Sequence, residues 1–279
     1  MEIIQTIGAM REATAGAGAG RLGFVPTMGA LHEGHLSLIR AARGQCDGVA
    51  ASIFVNPTQF GPHEDFARYP RNFERDCQLL EQEGVDVLFA PSVEEMYPPG
   101  AATYVTVEGM SDKLCGRSRP GHFRGVTTVV AKLFHIVQPK VAFFGQKDAA
   151  QVAIIRRMVR DLSLPVEIVA SPIVREPDGL ALSSRNAYLT LPQRKQALVL
   201  WRSLRRIEET HEKGECLVPR LIGVGREAFA QEPEARLDYL AIVDPETLDP
   251  IARTEGRALV AVAGLIGTTR LIDNVLLNK

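Results

Sequence analysis

Short β-branched runs alternate with amphipathic stretches between residues 22 and 170. Residues 22–25 form a brief apolar run that stops at Pro26. Residues 31–43 place Leu31, Leu38, Ile39 and Ala42 at helical spacing, which predicts a helix. The run VAASIFV at 49–55 predicts a buried strand. A helix over 72–83 ends at Gly84 and is followed by a strand over 85–90. The pattern then gives a helix over 126–137, a strand over 140–144, a helix over 149–162 and a strand over 166–170. Strands alternating with helices in this way predict an α/β fold: a Rossmann-like parallel sheet with helices on both faces. Such sheets bind ligands at the carboxyl ends of their strands, so the residues just after each strand matter most.

Residues 171–191 lack clear periodicity and hold Pro172, Pro177, Asp178, Gly179 and a polar SSRN cluster. They predict a linker or a mobile active-site loop. Helices over 193–212 and 218–231 follow, then strands near 237–243, 258–264 and 269–274. This second block predicts a small C-terminal α+β lid domain. The expected division is therefore 1–173 and 174–279. The low-complexity stretch 13–20 predicts a flexible surface connection.

Composition narrows the class. The chain has 279 residues, 46% hydrophobic and 23% charged, which suits a folded globular protein and not a disordered one. Its 32 Lys+Arg balance 33 Asp+Glu, so it lacks the basic excess of a protein that binds nucleic acid through counterion release. The four cysteines form no CxxC pair and no zinc-site spacing, which fits a reducing compartment. The first residues lack the layout of a signal peptide. The most apolar stretch is interrupted by Arg270 and Asp273, too often for a bilayer span. A cytoplasmic protein with no nucleic-acid or membrane partner is expected.

Several strand mouths carry chemistry. Pro26-Thr27-Met28-Gly29-Ala30-Leu31-His32-Glu33-Gly34-His35 follows a strand and opens a helix, a setting that suits phosphate. His32 and His35 share one face of the first turn and can donate to phosphate oxygens. A metal pair or two unrelated surface histidines are the competing readings. The spacing is HExH, however, not the HExxH of a metalloprotease helix. Gly145-Gln146-Lys147-Asp148 ends another strand; Lys147 can neutralise a phosphate, and Asp148 can accept from a ribose hydroxyl or cap the next helix. Gln151 lies one turn further on. Leu182-Ser183-Ser184-Arg185 can clamp a polyphosphate or serve as a plain helix cap. Asn56 and Gln59 offer uncharged donors and acceptors, Arg119 can attract a carboxylate, and Asp76 sits at a helix start. Neither a Walker A motif nor a GxGxxG fingerprint occurs.

With these motifs in view, His32-Glu33-Gly34-His35 resembles the HxGH signature of the nucleotidyltransferase superfamily, and Leu182-Ser183-Ser184-Arg185 resembles its KMSKS-type loop. The blocks PTMGALHEGH, SIFVNPTQF, RPGHFRGV, FFGQKD and DGLALSSRN stand in the order found in the pantothenate synthetase family of pantoate–β-alanine ligases. The resemblance spans essentially the whole chain. It implies condensation of pantoate with β-alanine using ATP and Mg²⁺, through a pantoyl adenylate, releasing AMP and pyrophosphate. It places residues 26–35 along ATP, with His35 as proton donor and His32 on the phosphates. Gly145, Gln146, Lys147, Asp148 and Val174 would line the nucleotide, with Lys147 reaching the phosphate as a third catalytic group. Leu182, Ser183, Ser184 and Arg185 would close over pyrophosphate. Gln59 and Gln151 would hold pantoate, with Gln59 also on β-alanine, and Asn56 and Arg119 as further polar positions. Asp76 matches an acidic position near the metal, and a homodimer is implied. An adenylyltransferase of the same superfamily acting on another cofactor precursor is the alternative. Gln146 and Ala150 depart from the family's usual GEKDxQQ, since this chain reads GQKDAAQ.

Overall fold

The computed structural model describes residues 1–15, 20–62 and 64–278. Part of the low-complexity stretch, 16–19, thus lies outside the described residues. The chain forms two units, the first made of Met1–Asp112, Arg119–Gly145 and Ile154–Pro172. The second is made of Lys113–Ser118, Gln146–Ala153 and Ile173–Lys279. The main break falls between Pro172 and Ile173, and two earlier segments pack with the later part of the chain.

The first unit holds a six-stranded parallel sheet built from β1 (Glu2–Ile4), β2 (Leu22–Thr27), β3 (Gly48–Ile53), β4 (Val87–Phe89), β5 (Val141–Gly145) and β6 (Glu167–Ser171). Their spatial order is β1-β4-β3-β2-β5-β6. Strand order reverses between β2 and β5, which makes their carboxyl ends the switch point where such sheets take ligands. Helices α1 (Ile7–Ala15), α2 (Glu33–Arg43), α3 (Phe73–Gln82), α4 (Val93–Met96), α5 (Cys115–Ser118), α6 (His122–Val137) and α7 (Ala149–Asp161) follow in chain order. The pleat sends alternate residues to opposite faces. Val25, Val49, Ala51, Val141 and Phe143 enter one core with Leu38, Ile39 and Ala42 of α2 and Leu80 of α3. Phe144 points the other way and meets Phe134 of α6 edge-on, with ring centroids 6.5 Å apart. Helices therefore cover both faces.

Strand β2 continues through Pro26 to Thr27, beyond the stop expected at the proline. Its pairing with β5 involves only Gly23 and Phe24, so the amide hydrogen that Pro26 lacks is not needed on that side. Leu31 lies in the turn before α2, and α6 starts a turn earlier than its apolar pattern suggested.

In the second unit α8 (Leu191–Glu212) and α9 (Val218–Phe229) pack on an antiparallel sheet of β7 (Ala235–Val243), β8 (Ala258–Ile266) and β9 (Thr269–Leu277). Thr190 and Gln193 form a reciprocal capping box at the start of α8. Lys113 binds Asp249 at 2.7 Å and Ser118 binds Asp238 at 2.8 Å, which is why α5 groups with this unit. No helix among the described residues is long and apolar enough to cross a membrane.

Candidate active site

The turn after β2 is held from three sides. Thr27 Oγ1 donates to Ser52 O (2.7 Å) and accepts from Gly29 N (3.1 Å). Gly29 (φ +78°) and Ala30 (φ +51°) both adopt left-handed backbone. A β-carbon on Gly29 would come within 3.0 Å of Asp76 Oδ2 and 3.1 Å of Ile53, so glycine is required for space as well as for backbone angle. Asp76, in the first turn of α3 and 1% exposed, accepts from Ala30 N (2.7 Å) and Leu31 N (2.9 Å), one on each carboxylate oxygen. The carboxylate is buried and holds the turn, and no group of three or more His, Cys, Asp or Glu among the described residues could hold a metal ion.

This turn delivers His32 and His35. His32 caps α2 by accepting from Gly34 N at Nδ1 (3.1 Å), and its own N–H makes a long bond to His35 Nδ1 (3.4 Å). The rings lie 4.1 Å apart between centroids. With Nδ1 accepting in both rings, the neutral form carries its proton on Nε2. In that form each imidazole offers an Nε2–H donor at the mouth of β2.

The turn after β3 brings Asn56 and Gln59 together. Asn56, 1% exposed, donates to Gln59 Oε1 (3.0 Å) and to Gly125 O (3.1 Å). Its Oδ1 accepts from Tyr97 Oη (3.0 Å) and Thr58 Oγ1 (2.9 Å). Since Asn56 occupies Gln59 Oε1, the Gln59 amide presents its NH₂ group, which sits 3.1 Å from Met28 Sδ. Met28, Asn56 and Gln59 therefore meet. Burial pushes Tyr97 above the usual phenol range, which keeps it a proton donor to Asn56.

Arg119 is engaged within the chain. It donates to Glu64 Oε1 (2.8 Å), approaches His122 Nε2 (2.9 Å) and reaches Gln59 O (3.4 Å), while His122 Nδ1 lies 2.9 Å from the same Gln59 carbonyl. Its carboxylate partner is the chain's own Glu64, and the cluster braces Gln59. Burial alone would raise the Glu64 carboxyl, but the paired donors and charge of Arg119 outweigh it and hold it below its ordinary value of 4.5. A carboxyl lowered on folding stabilises above that ordinary value, and the stabilisation is lost as pH falls through the folded value. Wild-type stability should therefore fall more steeply than that of Glu64→Gln on acidification below pH 4.5. Urea unfolding across pH checks this, and parallel curves would refute it.

In the second unit, Gln146, Lys147 and Asp148 form a 3-10 turn. Lys147 Nζ lies 3.6 Å from Asp148 Oδ2. Asn274 Nδ2 donates to the carbonyls of Gln146 and Lys147, both at 2.9 Å. Gln146 uses its own amide to donate to Asn274 Oδ1 (3.2 Å), a bond that a glutamate there would not make. Gln151 is half-buried in the first turn of α7. Val174 and Leu182 are joined by a backbone bond of 3.0 Å, and the stretch between them folds as a short paired hairpin. Arg194 pins this hairpin through ion pairs with Glu176 and Asp178. Ser183 caps the 3-10 helix Ser184–Tyr188, accepting from Arg185 N at 3.3 Å.

Sequence reasoning missed Tyr97, Glu64, Arg175, Asp273 and Asn274. The signal for the last two was present, since a polar pair stands between the apolar LI and VLL of β9.

The sequence model of the Pantoate-beta-alanine ligase family matches residues 2–276. The pantothenate synthetase of Acidobacterium capsulatum is 63% identical over 262 residues, covering 94% of this chain and 88% of the relative. That of Moorella thermoacetica is 60% identical, with 99% of each chain covered. The crystal structure of pantothenate synthetase from Thermus thermophilus superposes with a TM-score of 0.94 at 52% identity, covering 99% of both chains. That of the pantoate-beta-alanine ligase of Francisella tularensis, complexed with beta-gamma ATP and beta-alanine, gives 0.81 at 36% identity, covering 99% of this chain and 97% of that one. A six-stranded parallel sheet with its HxGH turn at the switch point, and matches of this length and identity, show that the chain belongs to the pantoate–β-alanine ligase family and is an enzyme of that class.

Proposed function

We propose that the chain joins pantoate to β-alanine with cleavage of ATP to AMP and pyrophosphate, in two steps. A pantoate carboxylate oxygen attacks the α-phosphorus and expels pyrophosphate, leaving pantoyl adenylate. The neutral amine of β-alanine then attacks the acyl carbon, loses a proton, and expels AMP. The observation that carries this reading is the pair of imidazoles set as Nε2–H donors at the end of β2. The ATP and beta-alanine bound to the Francisella tularensis relative support the nucleotide and amine halves.

A carboxylate and a triphosphate repel each other, so the residues must supply positive character where negative charge develops. His32 and His35 give fixed donors, and Lys147 gives a full charge. The NH₂ group of Gln59 suits an oxygen of pantoate or β-alanine, with Asn56 and Arg119 bracing it and Gln151 as a second amide. Val174, Leu182, Ser183, Ser184 and Arg185 serve the nucleotide and the departing pyrophosphate. Magnesium would come with ATP as part of the substrate; the Asp76 carboxylate holds the turn after β2 through Ala30 N and Leu31 N. Cytoplasmic location and a homodimer complete the reading.

An assay of AMP release tests it. Release should require both pantoate and β-alanine, and pantoate alone should give one turnover of pyrophosphate. Label from ATP appearing in a dinucleotide product instead would mark an adenylyltransferase of another precursor.

A further inference from the structure

Strand β9 places two polar residues side by side inside the second unit. Asp273 and Asn274 are each 3% exposed, although neighbouring residues on a strand point to opposite faces. Buried polar groups persist only when their hydrogen-bonding capacity is met. Here it is met in full. Asp273 takes two N–H groups of Arg175, at 2.6 and 2.9 Å, and the backbone N–H of Asn274 at 2.8 Å. Arg175 is itself fixed, with its guanidinium lying 3.8 Å over the Trp201 ring. Asn274 donates both amide hydrogens to the carbonyls of Gln146 and Lys147, and its oxygen accepts from the Gln146 side chain.

Apolar residues would fill this part of β9 without the cost of burying an ion pair. What Asn274 adds is a set of three bonds to the turn that carries Lys147. We infer that Asn274, braced by the Arg175–Asp273 pair, is a positioning residue that fixes the backbone of Gln146–Lys147 and so aims the Lys147 ammonium. The inference rests on the reading above that Lys147 serves the triphosphate. A two-residue backbone clamp suits a lysine in particular. The flexible four-carbon stem gives Lys147 reach but little direction, so its base must be held. Misplacing a charge by about 1 Å is enough to cost roughly a hundredfold in rate.

The test is a double-mutant cycle on the full chain, with Asn274→Ala, Lys147→Ala and the pair. The readouts are single-turnover pyrophosphate release with ATP and pantoate, ATP affinity by calorimetry, and urea unfolding. Asn274→Ala should slow release ~10–100-fold with a smaller change in ATP affinity. Added to Lys147→Ala, it should cost little more, because it acts through that lysine. If Asn274→Ala does not fold, the same cycle is run with Asn274→Asp, which keeps the size and loses the donors. A normal rate for the Asn274 variant beside a slow Lys147→Ala overturns this inference alone, as do multiplicative losses in the pair. A normal rate for Lys147→Ala overturns the reading of Lys147 itself, and this inference with it.

Discussion

Replacing His35 by alanine is expected to slow adenylate formation at least ~100-fold while the chain stays folded, on the scale of losing one preorganised donor. The ring's part in the cap is the long bond from His32 N to Nδ1 at 3.4 Å. The face that matters is the opposite nitrogen. His35→Asn separates the two roles, because the amide oxygen can still accept from His32 N but offers no donor at the position of Nε2. Both variants should be slow in single-turnover pyrophosphate release. Recovery of the rate in His35→Asn would show that the imidazole works only as a helix cap. A wild-type rate in both would remove His35 from the chemistry.

Gly125→Ala is the substitution expected to damage the first unit most. Helix α6 passes so close to the turn after β3 that a β-carbon at Gly125 would lie 2.3 Å from Thr58 O and 2.6 Å from Gln59 Cα. Both are backbone atoms, so no side chain can rotate out of the way. Overpacking of this kind costs roughly 1–3 kcal/mol, and the rigid partners place this site at the upper end. The same displacement would pull apart the bond from Asn56 to Gly125 O and disturb Gln59. Stability and pantoate use should fall together, by urea unfolding and steady-state kinetics. Gly8→Ala is the matched control, since nothing lies within 4 Å of its added carbon and alanine favours a helix. An unchanged unfolding midpoint for Gly125→Ala would contradict the clash.

Much of the fold was legible because its signals are local. The strands at 48–53 and 141–145 are apolar runs of buried parallel type, and α2 shows its apolar stripe at Leu38, Ile39 and Ala42. Strand β1 was not legible, because three residues carry no measurable period. The HxGH turn could be read from its place between a strand and a helix. Its foundation could not, since Asp76 reaches Ala30 across 46 positions and from sequence is only an acid at a helix start. The partner of Arg119 was out of reach for the same reason: from sequence the residue reads as a carboxylate binder or as a solvated loop charge, and Glu64 lies 55 positions away. The clamp on Lys147 spans 127 positions, and no spacing rule connects Asn274 to it.

The segment Gln146–Ala153 is counted with residues translated much later, and this bears on the order in which the molecule matures. On a ribosome, Lys147 emerges long before Asn274, so its turn lacks the three side-chain bonds of the clamp until the last strand is made. A nascent chain halted before Asp273 would hold its lysine without that clamp. Full catalytic competence would then arrive only as the final strand is made.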